Sequence, residues 1–269
     1  MELERSEKIA PVLIFDTGVG GLTVLAELRK LLPEAPVIFA ADQAGLPYGE
    51  KTEAEVAARV SGLLGRMSER YRPRLACIAC NTASTIALDM VRDVLEIPVV
   101  GTVPAIKPAA AMTKTGVIGL LGTKATIRQP YVDRLEARFA QGKTLLRHGA
   151  PELVDPAEAK LRGKPVDRSI IQRAVAALRE KPQGEKIDTV VLACTHFPLL
   201  IEELSGEFGQ RVRLIDGSHG IAQRIVSLLD GQDFERAAPD MAVTTGLLDD
   251  FMPLSDALGR YGLDRIERF

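Results

Sequence analysis

Tryptophan is absent, and aromatic residues make up only 4% of the 269 positions. Any core must therefore be assembled from leucine, isoleucine, valine and alanine. Cysteine is scarce too: Cys77, Cys80 and Cys194 are the full complement. An odd, small number of thiols in a chain of this length describes no disulfide framework, so the thiols are expected to stay reduced. Long apolar runs are missing; none approaches the roughly 18 residues a membrane-spanning helix requires. No block of basic residues occurs and the net charge is only −2, which leaves no electrostatic footprint for nucleic-acid phosphates. Residues 1–10, Met1 to Ala10, mix charges and lack the apolar centre of a signal peptide. These absences predict a soluble, cytoplasmic protein with neither a nucleic-acid nor a membrane partner.

What is present is an ordinary globular composition, 46% hydrophobic and 26% charged, enough for a sizeable core in one large domain or two modest ones. Short β-branched runs bounded by turn residues predict strands at Val12–Phe15, Val37–Ala41, Leu75–Ala79, Val99–Val103, Val117–Leu121, Val190–Ala193 and Val212–Ile215. Helical spacing of apolar residues predicts helices at Leu22–Leu32, Glu53–Tyr71, Ala83–Leu95, Ala125–Ala140, Arg168–Arg179 and Ile221–Leu229. Strict alternation of the two predicts an α/β fold with mostly parallel sheets covered on both faces. Lys143 to Val166, rich in proline, glycine and charge, reads as loop with one short helix. The segment from Asp230 onward alternates less clearly.

One internal echo stands out. Ile78-Ala79-Cys80-Asn81-Thr82 and Leu192-Ala193-Cys194-Thr195-His196 share the order apolar, alanine, cysteine, polar, polar, and each is expected to close a strand and open a helix. Ligand sites of open α/β sheets form at the carboxyl ends of strands, so both thiols should stand where chemistry is placed. The simplest architecture is a pair of similar lobes, each offering one thiol. Asn81, Thr82 and Ser84 are helix-capping types, and a helix N-terminus favours a thiolate or a bound carboxylate. His196 adds an imidazole beside Cys194, as acid, base or orienting group.

Other readings compete. Cys77 and Cys80 form a C-x-x-C, but no second such pair completes a zinc site, and Cys77 fits a small buried hydrophobe better than a redox partner. Phe15-Asp16-Thr17-Gly18-Val19-Gly20-Gly21 lacks the third glycine of a dinucleotide loop. Its Asp-Thr-Gly has no second copy to make an aspartic-protease dyad. A turn presenting backbone N–H groups to a small carboxylate suits it better, with Asp16 left to pair with an ammonium group or to serve simply as a turn residue. Tyr48 sits in a rigid Leu46-Pro47-Tyr48-Gly49 turn, as packing or as pocket wall. His148 and His219 lack any such context and read as surface or loop residues; the histidines and cysteines give no metal-ligand spacing.

Together, Phe15-Asp16-Thr17-Gly18-Val19-Gly20-Gly21-Leu22, Pro47-Tyr48-Gly49, Ala79-Cys80-Asn81-Thr82-Ala83-Ser84 and Ala193-Cys194-Thr195-His196-Phe197-Pro198 resemble the glutamate racemase family, from about Val12 to Ala222. The resemblance implies two α/β lobes, 1–103 with 216–269 and 104–215, and an active site in the cleft between them. Cys80 and Cys194 would be the catalytic pair. Asp16, Thr17, Tyr48, Gly49, Asn81, Thr82, Thr195 and His196 would hold glutamate, with Asp16 and His196 also assisting the thiols. Asp42 and Glu158 would be supporting acidic residues. Thr17 departs from the more usual serine, and residues Ala150 to Pro156 match poorly. No metal and no cofactor is implied, pyridoxal phosphate included. D-glutamate would feed peptidoglycan synthesis, and a homodimer is one option for assembly. Aspartate and hydantoin racemases share the two-cysteine plan, so an aspartate or other amino-acid racemase is one alternative. An amino-acid-binding protein without turnover is another.

The chemistry explains the need for two thiols. Inverting a stereocentre by proton transfer requires a base on one face of Cα and an acid on the other, with a planar carbanion between them. One cysteine must start as thiolate and the other as thiol, with roles exchanged for the opposite enantiomer.

Overall fold

A computed structural model describes residues 8–269; the reading of residues 1–7 as the start of a charged N-terminus lies outside the described residues. The chain runs β1 (Val12–Asp16), α1 (Leu22–Leu31), β2 (Val37–Ala41), α2 (Glu53–Tyr71), β3 (Leu75–Ile78), α3 (Asn81–Val94) and β4 (Val99–Gly101). It continues through α4 (Ile106–Met112), β5 (Val117–Gly122), α5 (Lys124–Ile127), α6 (Pro130–Phe139), β6 (Thr144–Gly149), α7 (Val154–Leu161) and α8 (Arg168–Arg179). The remainder is β7 (Thr189–Ala193), α9 (Ile201–Phe208), β8 (Arg213–Asp216), α10 (Ser218–Leu228), β9 (Asp240–Thr244), α11 (Leu248–Phe251), α12 (Ser255–Arg260) and β10 (Leu263–Arg268).

The contacts divide the chain into two compact units. The first extends through Thr102 and resumes at Ser218–Phe269; the second is Val103–Gly217. The first holds a six-stranded sheet in the order β10-β9-β2-β1-β3-β4, the second a four-stranded sheet in the order β6-β5-β7-β8. Every pairing is parallel, so the α/β expectation is met. The central strands β1, β2, β5 and β7 are buried along their whole length, as strands covered on both faces must be.

Period-two alternation sorts each strand's side chains between two cores. In the second unit, Leu121, Val190 and Leu192 pack with Ile171, Val175 and Leu178 of α8. Ile118, Leu120, Val191 and Ala193 point the other way, onto Ile106 and Ala109 of α4 and Val132 of α6. In the first unit, Leu13, Phe15, Ile38 and Ile78 meet Val56, Val60, Leu64 and Met67 of α2 and Ala83, Ala87 and Val91 of α3.

Several expectations are corrected. The segment Lys143 to Val166 is not mainly loop: it contains β6 and α7, and β6 escapes notice because it is a half-exposed edge strand carrying Arg147 and His148. His148 is therefore a strand residue, its Nε2 buried without a hydrogen-bond partner; burial lowers its pKa. Beyond Asp230 lie two further strands. The expected helix Ala125–Ala140 breaks in two at Gln129, which is extended (φ −69°, ψ 136°) because a following proline disfavours the helical conformation. Among the described residues, no helix is long and apolar enough to cross a membrane.

Candidate active site

Both sheets reverse their strand order at a defined point. From β1 the chain goes out to β2 on one side and returns to β3 on the other; from β5 it goes to β6 and returns to β7. Such switch points open a crevice at the carboxyl ends of the two inner strands. In the first unit those ends carry Asp16-Thr17 and Cys80; in the second they carry Thr123 and Cys194. Each unit thus brings one cysteine and one threonine to equivalent positions. Thr123 was not singled out from the sequence, since Gly122-Thr123 has no glycine-rich turn to flag it.

Around Cys80 the first unit assembles a cluster of buried polar groups. Asp16 is fully buried and binds its own turn: Oδ1 accepts the Thr17 N–H at 2.7 Å and Oδ2 accepts the Gly21 N–H at 2.7 Å. Gly21 must be glycine, because a Cβ there would lie 2.8 Å from the Ala79 side chain; the turn and the end of β3 touch. Asp16 thereby holds the loop that carries Thr17, whose hydroxyl lies 3.8 Å from the Cys80 sulfur. Cys80 is itself the N-cap of α3, its sulfur accepting the Ala83 N–H at 3.5 Å. The helix therefore begins at Asn81, two residues earlier than its apolar spacing predicts. Ser84 is no cap; its hydroxyl donates to the Ile78 carbonyl at 2.9 Å. Asn81 and Thr82 are buried in the first turn, and the Asn81 Oδ1 is a buried acceptor without a hydrogen-bond partner. Cys77 is fully buried, and burial pushes its thiol up to about 12, which leaves it neutral and inert.

Tyr48 and Gly49 lie in a single turn of 3-10 helix after a cis Leu46–Pro47 bond. The Tyr48 hydroxyl donates to Asp42 Oδ2 at 2.6 Å. Asp42 is fully buried and also accepts from Arg59 Nη2 at 2.7 Å, from Arg59 Nε and from the Thr245 hydroxyl. Burial, reinforced by the Asp42 charge, pushes the Tyr48 phenol far up, so it remains neutral. Arg59 and Thr245 were not anticipated: one is a charged residue half-buried on α2, the other follows a strand the sequence does not reveal.

In the second unit, Cys194, Thr195 and His196 are all buried. The helix expected to open here does not form: Phe197–Leu200 is a 3-10 turn with proline in its first positions, and α9 starts only at Ile201. The two thiols are consequently served differently. Instead of capping a helix, Cys194 faces an imidazole, with His196 Nδ1 3.9 Å from the sulfur. His196 Nε2 meets Glu158 Oε1 at 2.9 Å, and Arg162 Nη1 donates to Glu158 Oε2 at 2.5 Å. Burial opposes charge on His196, but its hydrogen bonds to Cys194 and Glu158 and their negative charge raise it well above 6.5. Burial likewise works against the Glu158 carboxylate, yet His196 and Arg162 hold it at about 2. Each partner thus favours the charged form of the other. Arg162 was also missed, although its position four residues after Glu158 is a readable helical pairing.

Comparisons with known proteins identify the family. A family model described as Asp/Glu/Hydantoin racemase matches residues 23–225. The chain is 62% identical over 259 residues to the glutamate racemase of Sphingopyxis alaskensis, covering 96% of this chain and 97% of that one. It is 44% identical to the glutamate racemase of Salmonella typhimurium, covering 98% and 93%. Among solved structures, Escherichia coli glutamate racemase in complex with L-glutamate and the activator UDP-MurNAc-ala superposes with a TM-score of 0.90 at 41% identity, over 97% of this chain and 98% of that one. With three quarters of its length matched by the family model, and relatives this similar along nearly all of it, the chain belongs to the Asp/Glu/Hydantoin racemase family.

Proposed function

We propose that this protein is a cofactor-independent glutamate racemase, an isomerase that interconverts L- and D-glutamate and so supplies D-glutamate for peptidoglycan. The supporting observation is that two cysteines, neither in a disulfide, stand at equivalent strand ends of two similar sheets, each with a hydrogen-bonding partner beside its sulfur. The high identity to glutamate racemases along nearly the whole chain supports glutamate as the substrate.

In this reading the substrate binds with one sulfur on each face of Cα. Starting from one enantiomer, one cysteine as thiolate removes the Cα proton while the other, as thiol, delivers its proton to the opposite face. The thiols finish with exchanged protonation states, ready for the reverse reaction. His196, as imidazolium, provides a partner for a Cys194 thiolate. On the other side, Thr17 and the Ala83 N–H provide neutral donors for Cys80. The unpartnered Asn81 Oδ1 accepts from the substrate ammonium group. Backbone N–H groups at the start of α3 and in the Gly49 turn, with the hydroxyls of Thr17, Thr82 and Thr195, receive the carboxylates. Tyr48 lines the Cys80 side, backed by Asp42, and Asp16 and Glu158 hold Thr17 and His196. The protein would work in the cytoplasm, with a homodimer as one option for its assembly.

The decisive experiment is circular dichroism of L-glutamate and, separately, L-aspartate with purified protein and no added cofactor. Loss of the glutamate signal alone is expected. An unchanged glutamate signal, with no deuterium entering Cα in D2O, would reduce the protein to a binder.

A further inference from the structure

Glu158 is anchored at three points, two on its side chain and one on its main chain. One carboxylate oxygen meets His196 Nε2 at 2.9 Å, and the other accepts from Arg162 Nη1 at 2.5 Å. The same Arg162 nitrogen also donates to the main-chain carbonyl of Glu158 at 3.0 Å. One guanidinium nitrogen thus grips both ends of the glutamate, leaving its side chain little freedom to swing. This is not the exposed helix-face pair that spacing of four residues usually produces: the Glu158 side chain is 7% and the Arg162 side chain 17% exposed. The far end of the chain of contacts is the Cys194 sulfur, 3.9 Å from His196 Nδ1. His196 and Arg162 act on the Glu158 carboxylate, and Cys194 and Glu158 act on the His196 ring.

We infer that Arg162 is a positioning residue for proton transfer at Cys194: by clamping Glu158 it fixes the His196 ring in the orientation that faces the sulfur. A ring hydrogen-bonded on only one side by a mobile carboxylate would rotate, and the Nδ1–sulfur approach would be lost for part of the time. Arg162 also neutralises a buried carboxylate, so that Glu158 stays anionic without drawing the proton from the imidazolium. The kinetic consequences rest on the racemase reading; the state of the His196 ring does not.

The test compares wild type with Arg162→Met and Arg162→Lys by initial rates in both directions and by NMR of the histidine ring N–H protons. Only three histidines are present, so His196 can be assigned by His196→Asn. In Arg162→Met, kcat is expected to fall about ten-fold in the direction that uses Cys194 as base, a typical size for coupled neighbours. The KM in that direction changes much less. The acid limb of the kcat profile moves to higher pH, because Glu158 loses a cation, and the His196 ring signal broadens. Arg162→Lys, which keeps the charge but not the two-point grip, should fall between. Wild-type kcat in both directions together with a wild-type His196 signal in Arg162→Met would overturn the proposal. So would an equal loss from Arg162→Met in wild type and in a Glu158→Gln background. If Arg162→Met does not fold, Arg162→Lys decides alone: an intermediate loss supports the proposal and wild-type behaviour ends it. Should wild type itself not racemise glutamate, the functional reading fails while the NMR comparison still judges the clamp.

Discussion

The hydroxyl of Thr17 and the sulfur of Cys80 lie 3.8 Å apart, brought together from residues 63 positions distant in the chain. Thr17→Val deletes that contact while keeping the side-chain volume. It should lower kcat about three- to ten-fold, the worth of a single hydrogen bond, and leave the urea midpoint nearly unchanged. A kcat equal to wild type would remove the hydroxyl from any part in the proton's path.

Cys80→Ser and Cys194→Ser should each reduce racemisation by about 10²–10⁴-fold, the usual value of a positioned acid or base. Enantiomers have equal free energy in water, so kcat/KM must stay equal in the two directions for every variant. Any directional bias therefore appears in kcat and KM separately. The sharper observable is Cα deuterium exchange: each variant should still wash the proton from one enantiomer faster than from the other. Loss from both enantiomers equally in both variants would contradict one base per face.

Asp42 is fully buried and accepts from Tyr48, Arg59 and Thr245 at once. Asp42→Ala should destabilise the fold by about 3 kcal/mol, the low end for breaking a buried ion pair, because the Arg59 side chain is 34% exposed and can turn to water. Tyr48→Phe should cost less, since Asp42 keeps its other donors. Chemical denaturation of the two variants gives the order directly; the reverse order would show that the tyrosine, not the arginine, anchors the carboxylate.

Stability should vary with pH through Glu158 and His196. Glu158 falls from an ordinary 4.5 to about 2 in the folded protein. Its contribution is thus complete above 4.5 and drains away as pH falls toward 2. His196 moves the opposite way, raised well above 6.5: its contribution is complete below 6.5 and is lost as pH climbs through the raised value. The stability gap between wild type and Glu158→Gln should accordingly be widest between 4.5 and 6.5 and narrow on both sides. A gap independent of pH would mean that neither group is ionised as described.

Much of this arrangement was legible in the sequence because the inner strands announce themselves. Val12–Asp16 and Thr189–Ala193 are largely apolar runs, and the residues at their ends are small, polar and unusual. Edge strands give a weaker signal. Leu263–Arg268 carries four charged residues in six, since one of its sides meets solvent, and Thr144–Gly149 is half-exposed throughout. The echo around the two cysteines was a true guide to strand ends and a false guide to the element each strand leads into. The second copy leads instead into a 3-10 turn that contains Pro198, so one sulfur is served by a helix N-terminus and the other by a histidine. Arg59 and Thr245 converge on Asp42 from 17 and 203 residues away. No local pattern encodes such meetings.

The strand order of the first unit has a further consequence during synthesis. β9 lies between β2 and β10, yet it is made only after the whole of the second unit, Val103–Gly217, has been translated. Until residue 244 leaves the ribosome, the Val37–Ala41 strand has one side unpaired, and its sequence is entirely apolar. An open apolar edge is a template for association with other chains. Premature termination after Cys194 but before β9 should therefore give an insoluble product rather than a weakened enzyme, even though both cysteines are already in place.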